Sequence, residues 1–119
     1  MKMKPVIIKS DFLMKIFSVV QPAVAITLWP FIIVREDKRY SEDEVLLNHE
    51  SIHIRQQVEN LIIPFYLIYL YDYMRGLIKY KDSSKAYYRI RFEQEAYQNQ
   101  KNMIYLEERR RHSWKKYKV

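Results

Sequence analysis

The chain contains no cysteine, a single glycine and only four prolines in 119 residues. Without cysteine there is neither a disulfide framework nor a thiolate metal site, and the lack is neutral to mildly supportive of a reducing compartment. A cytoplasmic setting, with membrane association open, is expected. Glycine and proline are too scarce for a flexible linker, so one domain is expected over residues 1–119. Histidine is scarce as well, with three in the chain. Any imidazole chemistry must therefore come from His49, His53 and His112. There is no internal repeat.

What is present suits a small globular domain. Hydrophobic residues make up 49% of the chain, enough for a real core. The formal charge is +7, and it is unevenly spread. Acids gather at residues 42–44, and basic residues crowd the C-terminus.

Residues 16–34 form the longest uncharged run, about the length a spanning helix needs. Gln21, Pro22 and Pro30 interrupt it, and β-branched residues enrich it near Ile26, Thr27, Ile32, Ile33 and Val34. Two pieces are expected instead: a short helix or turn near residues 12–20 and a strand near residues 24–34. Pro30 lacks a ladder donor, so the strand should lie at an edge or break there. The basic start would suit a secretory leader, but no clear small-x-small cleavage site follows a compact apolar core. Residues 1–10 read as a frayed or strand-like lead-in.

The informative stretch is His49-Glu50-Ser51-Ile52-His53, an H-e-x-x-H pattern in which x is any residue. Residues four apart on a helix share one face, so both imidazoles can reach one metal ion. Glu50, beside the first ligand, can serve a metal-activated water as its base. Ser41 to Glu44 reads as a capping box that starts the helix. Val45, Leu46, His49, Ile52, His53 and Gln56 then follow one buried stripe. A plainer alternative is a pair of core histidines satisfied by hydrogen bonds. The glutamate in the intervening position favours metal.

A hydrolytic zinc site needs a third protein ligand and leaves a fourth position to water. His112 lies in the basic tail, so carboxylates remain. Glu93, in Glu93-Gln94-Glu95-Ala96, precedes a small residue by one turn, which allows close helix approach. Glu95 should point the opposite way, and Glu59 should lie on the far face of the histidine helix. Glu50 to His53 also forms an E-x-x-H unit, as in di-iron bundles, but those need two such units and the chain has one.

An H-e-x-x-H motif followed by E-x-x-A resembles the gluzincin metallopeptidases. The pattern is similar to the CaaX prenyl protease and HtpX-like heat-shock protease families, which carry E-x-x-A-D; Tyr97 stands in the aspartate position here. More broadly, the chain resembles small uncharacterised bacterial zincin-like proteins. Residues 27–32, 49–57, 64–69 and 92–97 spell that pattern. The resemblance implies His49, His53 and Glu93 as zinc ligands and Glu50 as general base.

Residues 61–80 are apolar nearly all round, and read as a core helix in preference to a membrane-contacting one. Pro64 should open or kink it, and Gly76 with residues 79–85 should end it in a polar loop. The last helix is expected over residues 86–106. Beyond it, Arg109 to Arg111 and Lys115 to Lys118 form a basic tail with Trp114 and Tyr117, expected to be solvated and partly disordered. Such a tail can bind an anionic membrane or nucleic acid. No nucleic-acid module accompanies it, so nucleic acid is not expected as a partner.

The expected fold is α+β and mainly helical, with three principal helices and a short edge strand or hairpin. The expected function is that of a minimal zinc peptidase holding one zinc ion, acting on peptide or protein. Substrate would lie along the strand from Ile26 to Val34 by backbone pairing. Tyr87, Tyr88 and Tyr97 are candidates for stabilising the oxyanion. Two other classes remain open: a metal-holding scaffold without turnover, and a basic helical protein that binds membrane or nucleic acid.

Overall fold

The computed structural model describes residues 5–17 and 25–119. The part of the expected first helix beyond residue 17, and Val24 at the start of the expected strand, lie outside the described residues. Among the described residues the fold is α+β and mainly helical. Three strands, β1 (Val6–Lys9), β2 (Ala25–Leu28) and β3 (Phe31–Val34), form one sheet in the order β1-β3-β2. Helix α1 (Asp11–Phe17) follows β1, and the Ser10 hydroxyl caps it by accepting from Leu13 N. A one-turn helix α2 (Lys38–Ser41) leads from the sheet into α3 (Glu44–Glu59).

The strand expected up to Val34 is thus a hairpin. Pro30 sits in the two-residue turn, where no ladder donor is needed, and its carbonyl accepts from Val6 N. β3 pairs in parallel with β1 and antiparallel with β2, so it is the central strand and not an edge. Among the described residues, only the β2 half of the expected substrate strand has an edge without a strand partner.

Helix α3 begins two residues later than the capping box implied. Asp43 is the cap, and its carboxylate accepts from Val45 N and Leu46 N. The helix packs between β2 and helix α6 (Arg91–Asn99). On the sheet side Ile54 joins Ala25, Ile32 and Val34 in one core cluster. A second cluster, Phe65, Ile90, Phe92 and Trp114, lies among the later elements.

Leu61 and Ile62 both have positive φ and turn the chain sharply between α3 and α4 (Ile63–Tyr80), which meet at 114°. Pro64 stands in the first turn of α4, where a missing N–H costs nothing. Gly76 does not end this helix. It lies inside α4 and faces Ala86 of α5 (Ser83–Arg89), where an added Cβ would come within 2.9 Å of the Ala86 Cα. The expected polar loop shrinks to Lys81 and Asp82, the latter capping α5. α4 packs one face inward through Phe65, Asp72 and Gly76 and leaves much of the other exposed.

The single helix expected over residues 86–106 is broken into α5, α6 and α7 (Tyr105–Glu108). Ile90 takes an extended backbone between α5 and α6. There Asp72, fully buried, accepts from Arg91 N at 3.1 Å and holds its guanidinium through two bonds of 2.8 Å. The carboxylate thus both caps α6 and ties it to α4.

The C-terminal segment, expected to be solvated, is packed down. Trp114, in a 3-10 turn over Ser113–Lys116, is buried against Phe92 with ring centroids 4.6 Å apart. Arg109 is buried and bridges Glu59 and Glu95. The Lys118 carbonyl accepts from Arg89 and Gln94.

Candidate metal centre

Helices α3 and α6 bring three ligand atoms together. The Nε2 atoms of His49 and His53 are 3.1 Å apart. Glu93 Oε1 stands 3.1 Å from the first and 3.0 Å from the second. All three side chains are buried. The pair of histidines follows from the four-residue spacing on α3. Glu93 joins them because α6 crosses α3 with the small, buried Ala96 one turn further on.

The remaining polar atom of each ligand is held in place. His53 Nδ1 donates to Gln56 Oε1 at 2.7 Å. The Gln56 amide is oriented in turn, since its Nε2 donates to Phe92 O and Glu95 Oε1. His49 Nδ1 donates to Gln100 Oε1 at 2.8 Å. With both Nδ1 atoms protonated, each Nε2 presents a lone pair to the common point. The Tyr69 hydroxyl donates to Glu93 Oε2 at 2.6 Å, leaving Oε1 free to face the histidines.

Two imidazole nitrogens and a carboxylate oxygen this close call for positive charge between them, either a proton on His53 or a metal ion. Burial alone would lower the His53 pKa, but the Glu93 charge and hydrogen bond outweigh it and raise it to about 9. Burial likewise works against ionised Glu93, yet the two histidines hold its carboxyl well below the ordinary range. The group of His49, His53 and Glu93 could hold a metal ion. Tetrahedral coordination at 2.0–2.1 Å sets ligand atoms about 3.3 Å apart, close to the separations seen here.

Glu50 stands beside this cluster, close enough that its charge adds to the rise at His53. Its Oε2 accepts a hydrogen bond from the Thr27 hydroxyl of β2. A cleft of about 400 Å³ opens here between β2 and α4, with His53, Glu50 and Glu93 in its lining. Most of its remaining wall is apolar or aromatic, including Ile26, Leu28, Phe65 and Leu70.

The other expected participants are placed as follows. Tyr87 lines the cleft, and its hydroxyl lies 3.1 Å from that of Tyr97. Burial, reinforced by the Glu93 charge, pushes the Tyr87 phenol far up, so it is a hydrogen-bond donor. The Tyr97 ring packs edge-on to His49 at 4.4 Å, while Tyr88 is exposed. Glu95 and Glu59 are away from the cluster, but neither is solvated: both are buried partners of Arg109. His112 donates its backbone N–H to Glu59 and does not join the histidines.

β2 is less open than a strand-addition site would be. The Thr27 carbonyl already accepts from Gln57 Nε2 at 3.0 Å and from the Tyr66 hydroxyl at 3.1 Å. Sequence reasoning missed Thr27, Tyr69 and the amides of Gln56 and Gln100. Gln56 carried a signal, being one turn after His53; Gln100 and Tyr69 carried none, since their partners are distant in the chain.

Among protein-family models, curated proteins and solved structures, no match to this chain was found.

Proposed function

We propose that the protein is a zinc-dependent peptidase. The observation that carries this reading is the convergence of two imidazole nitrogens and one carboxylate oxygen beside Glu50 in an open cleft. His49, His53 and Glu93 would hold the ion, a nitrogen-rich donor set that suits zinc. Bound zinc supplies Lewis acidity and makes a water more acidic.

The rest of the chemistry falls to the chain's own residues. Glu50 takes a proton from the attacking water and passes it to the leaving nitrogen. Thr27 holds one oxygen of Glu50 so that the other is directed by that anchor. Tyr87, kept protonated, donates to the oxygen that becomes negative as the carbonyl is attacked. The apolar wall between β2 and α4 accepts a side chain of the peptide and displaces water from it.

Protein purified without added zinc should carry about one ion per chain. Glu50→Gln should keep that ion and lose hydrolysis of a quenched fluorescent peptide library. Hydrolysis surviving in Glu50→Gln, or metal surviving in both His49→Ala and His53→Ala, would overturn the proposal. A second reading, a metal-holding binding module without turnover, is favoured by the closed Thr27 carbonyl. Stoichiometric metal with no turnover on any peptide would select it.

A further inference from the structure

Helix α4 is apolar on two opposite faces, and among the described residues only one of them has a partner. Phe65, Asp72 and Gly76 face the protein. Ile63, Leu67, Leu70, Tyr71, Met74 and Ile78 are all exposed, with Leu67 at 63% and Ile78 at 76%. Their spacing draws a continuous stripe along the whole helix. Large apolar stripes of this kind on a protein surface mark an interaction.

The exposed charges on α4 itself have one sign, and the nearest acid beyond it, Asp82, is engaged in capping α5. Between residues 61 and 81 the only acid is Asp72, which is buried and bound to Arg91. Arg75, Lys79 and Lys81 are exposed at the C-terminal half of the same helix. The Arg75 guanidinium lies over the Tyr71 ring, at the stripe's border. An apolar face bordered by cations and free of acids is complementary to anionic lipid headgroups over acyl chains. A second copy of the chain fits less well, because nothing acidic on the stripe answers the partner's cations.

Spanning is not the geometry. No single helix among the described residues is long and apolar enough to cross a membrane. The inner face of α4 is also committed to the Asp72–Arg91 pair and the core. We propose that α4 lies in the plane of an anionic bilayer, with its free face in the headgroup region. Leu70 and Tyr66 belong to both this helix surface and the cleft wall, so docking sets the cleft mouth against the lipid. The docking does not depend on the metal centre.

The test is co-sedimentation with vesicles of phosphatidylcholine containing about a third phosphatidylglycerol, against pure phosphatidylcholine, at low ionic strength. The wild-type chain should sediment with the anionic vesicles and much less with the zwitterionic ones. Leu67→Glu with Ile78→Glu should cut binding at least tenfold. Arg75→Gln and Lys81→Gln should each weaken binding to anionic vesicles, about fivefold per cation. These side chains are exposed, and circular dichroism checks that each variant folds. If the glutamate variant fails to fold, the charge variants still decide. Absence of wild-type sedimentation would overturn the proposal, as would unchanged binding in the folded variants. So would a wild-type dimer, seen by light scattering, that Leu67→Glu dissociates and that does not bind vesicles.

Discussion

The Tyr69 hydroxyl donates to Glu93 Oε2 at 2.6 Å, while Oε1 of the same carboxylate faces both histidines. One oxygen is tethered by α4 so that the other can be presented by α6 to α3. The candidate metal centre is therefore assembled by three helices, although the three side chains that could hold an ion come from two.

Removing that tether should loosen the centre without dismantling it. Tyr69→Phe leaves Oε2 buried without a donor. Metal affinity should fall about ten- to a hundredfold, as for other lost supports of metal ligands. Competition against a chelator of known affinity measures it. An unchanged affinity would show that Glu93 needs no help from α4.

The three carboxylates of interest should separate by phenotype. Glu93→Gln should release metal to a mild chelator. Glu95→Gln should keep it but lose about 3 kcal/mol of stability, because it leaves the buried Arg109 short of a partner. Glu59→Gln should behave like Glu95→Gln. Metal analysis and urea unfolding of the three variants check this. Loss of metal in Glu59→Gln alone would contradict the placement of these groups.

Gly76→Ala tests the packing of α4 on α5. Helix propensity alone predicts a gain of about 1 kcal/mol. The new Cβ, however, would meet Ala86 Cα and Cβ at 2.9 Å, too close for either backbone to ignore. We expect a net loss of about 1–3 kcal/mol, eased when combined with Ala86→Gly. The sign of the change in unfolding midpoint decides it.

The cluster also makes stability depend on pH and metal together. In the metal-free protein the His53 pKa is raised to about 9 from an ordinary value of 6.5. Its contribution is fully present below 6.5 and is lost as pH rises through about 9. Metal-free protein should thus become easier to unfold by urea across that window, and the effect should vanish in His53→Ala. Zinc must displace this proton, so adding zinc at neutral pH should release it to the buffer. Calorimetry in buffers of different ionisation enthalpy reads the proton directly.

Some of this was determined by the sequence alone, because the forces concerned are local. A carboxylate at the N-terminus, apolar residues at helical spacing and two histidines four apart specify α3 and its inward imidazoles wherever the helix packs. β-branched residues around Thr27 and Ile32 likewise marked extended chain, to lie at an edge or break at Pro30, but not the order of the strands in the sheet.

Other features were decided only by tertiary structure. Nothing in residues 86–106 announces a break at Ile90, since no glycine or proline stands there. The helix stops because Asp72, brought up by α4, takes the Arg91 N–H and guanidinium. Glu93, Gln94 and Glu95 are consecutive and polar, and by periodicity only one side of them should be buried. All three are buried, because α3 and the C-terminal segment surround α6 and supply Arg109, the Lys118 carbonyl and the two histidines as partners. A polar side chain's burial depends on partners far along the chain, and its own neighbours in sequence carry no record of them.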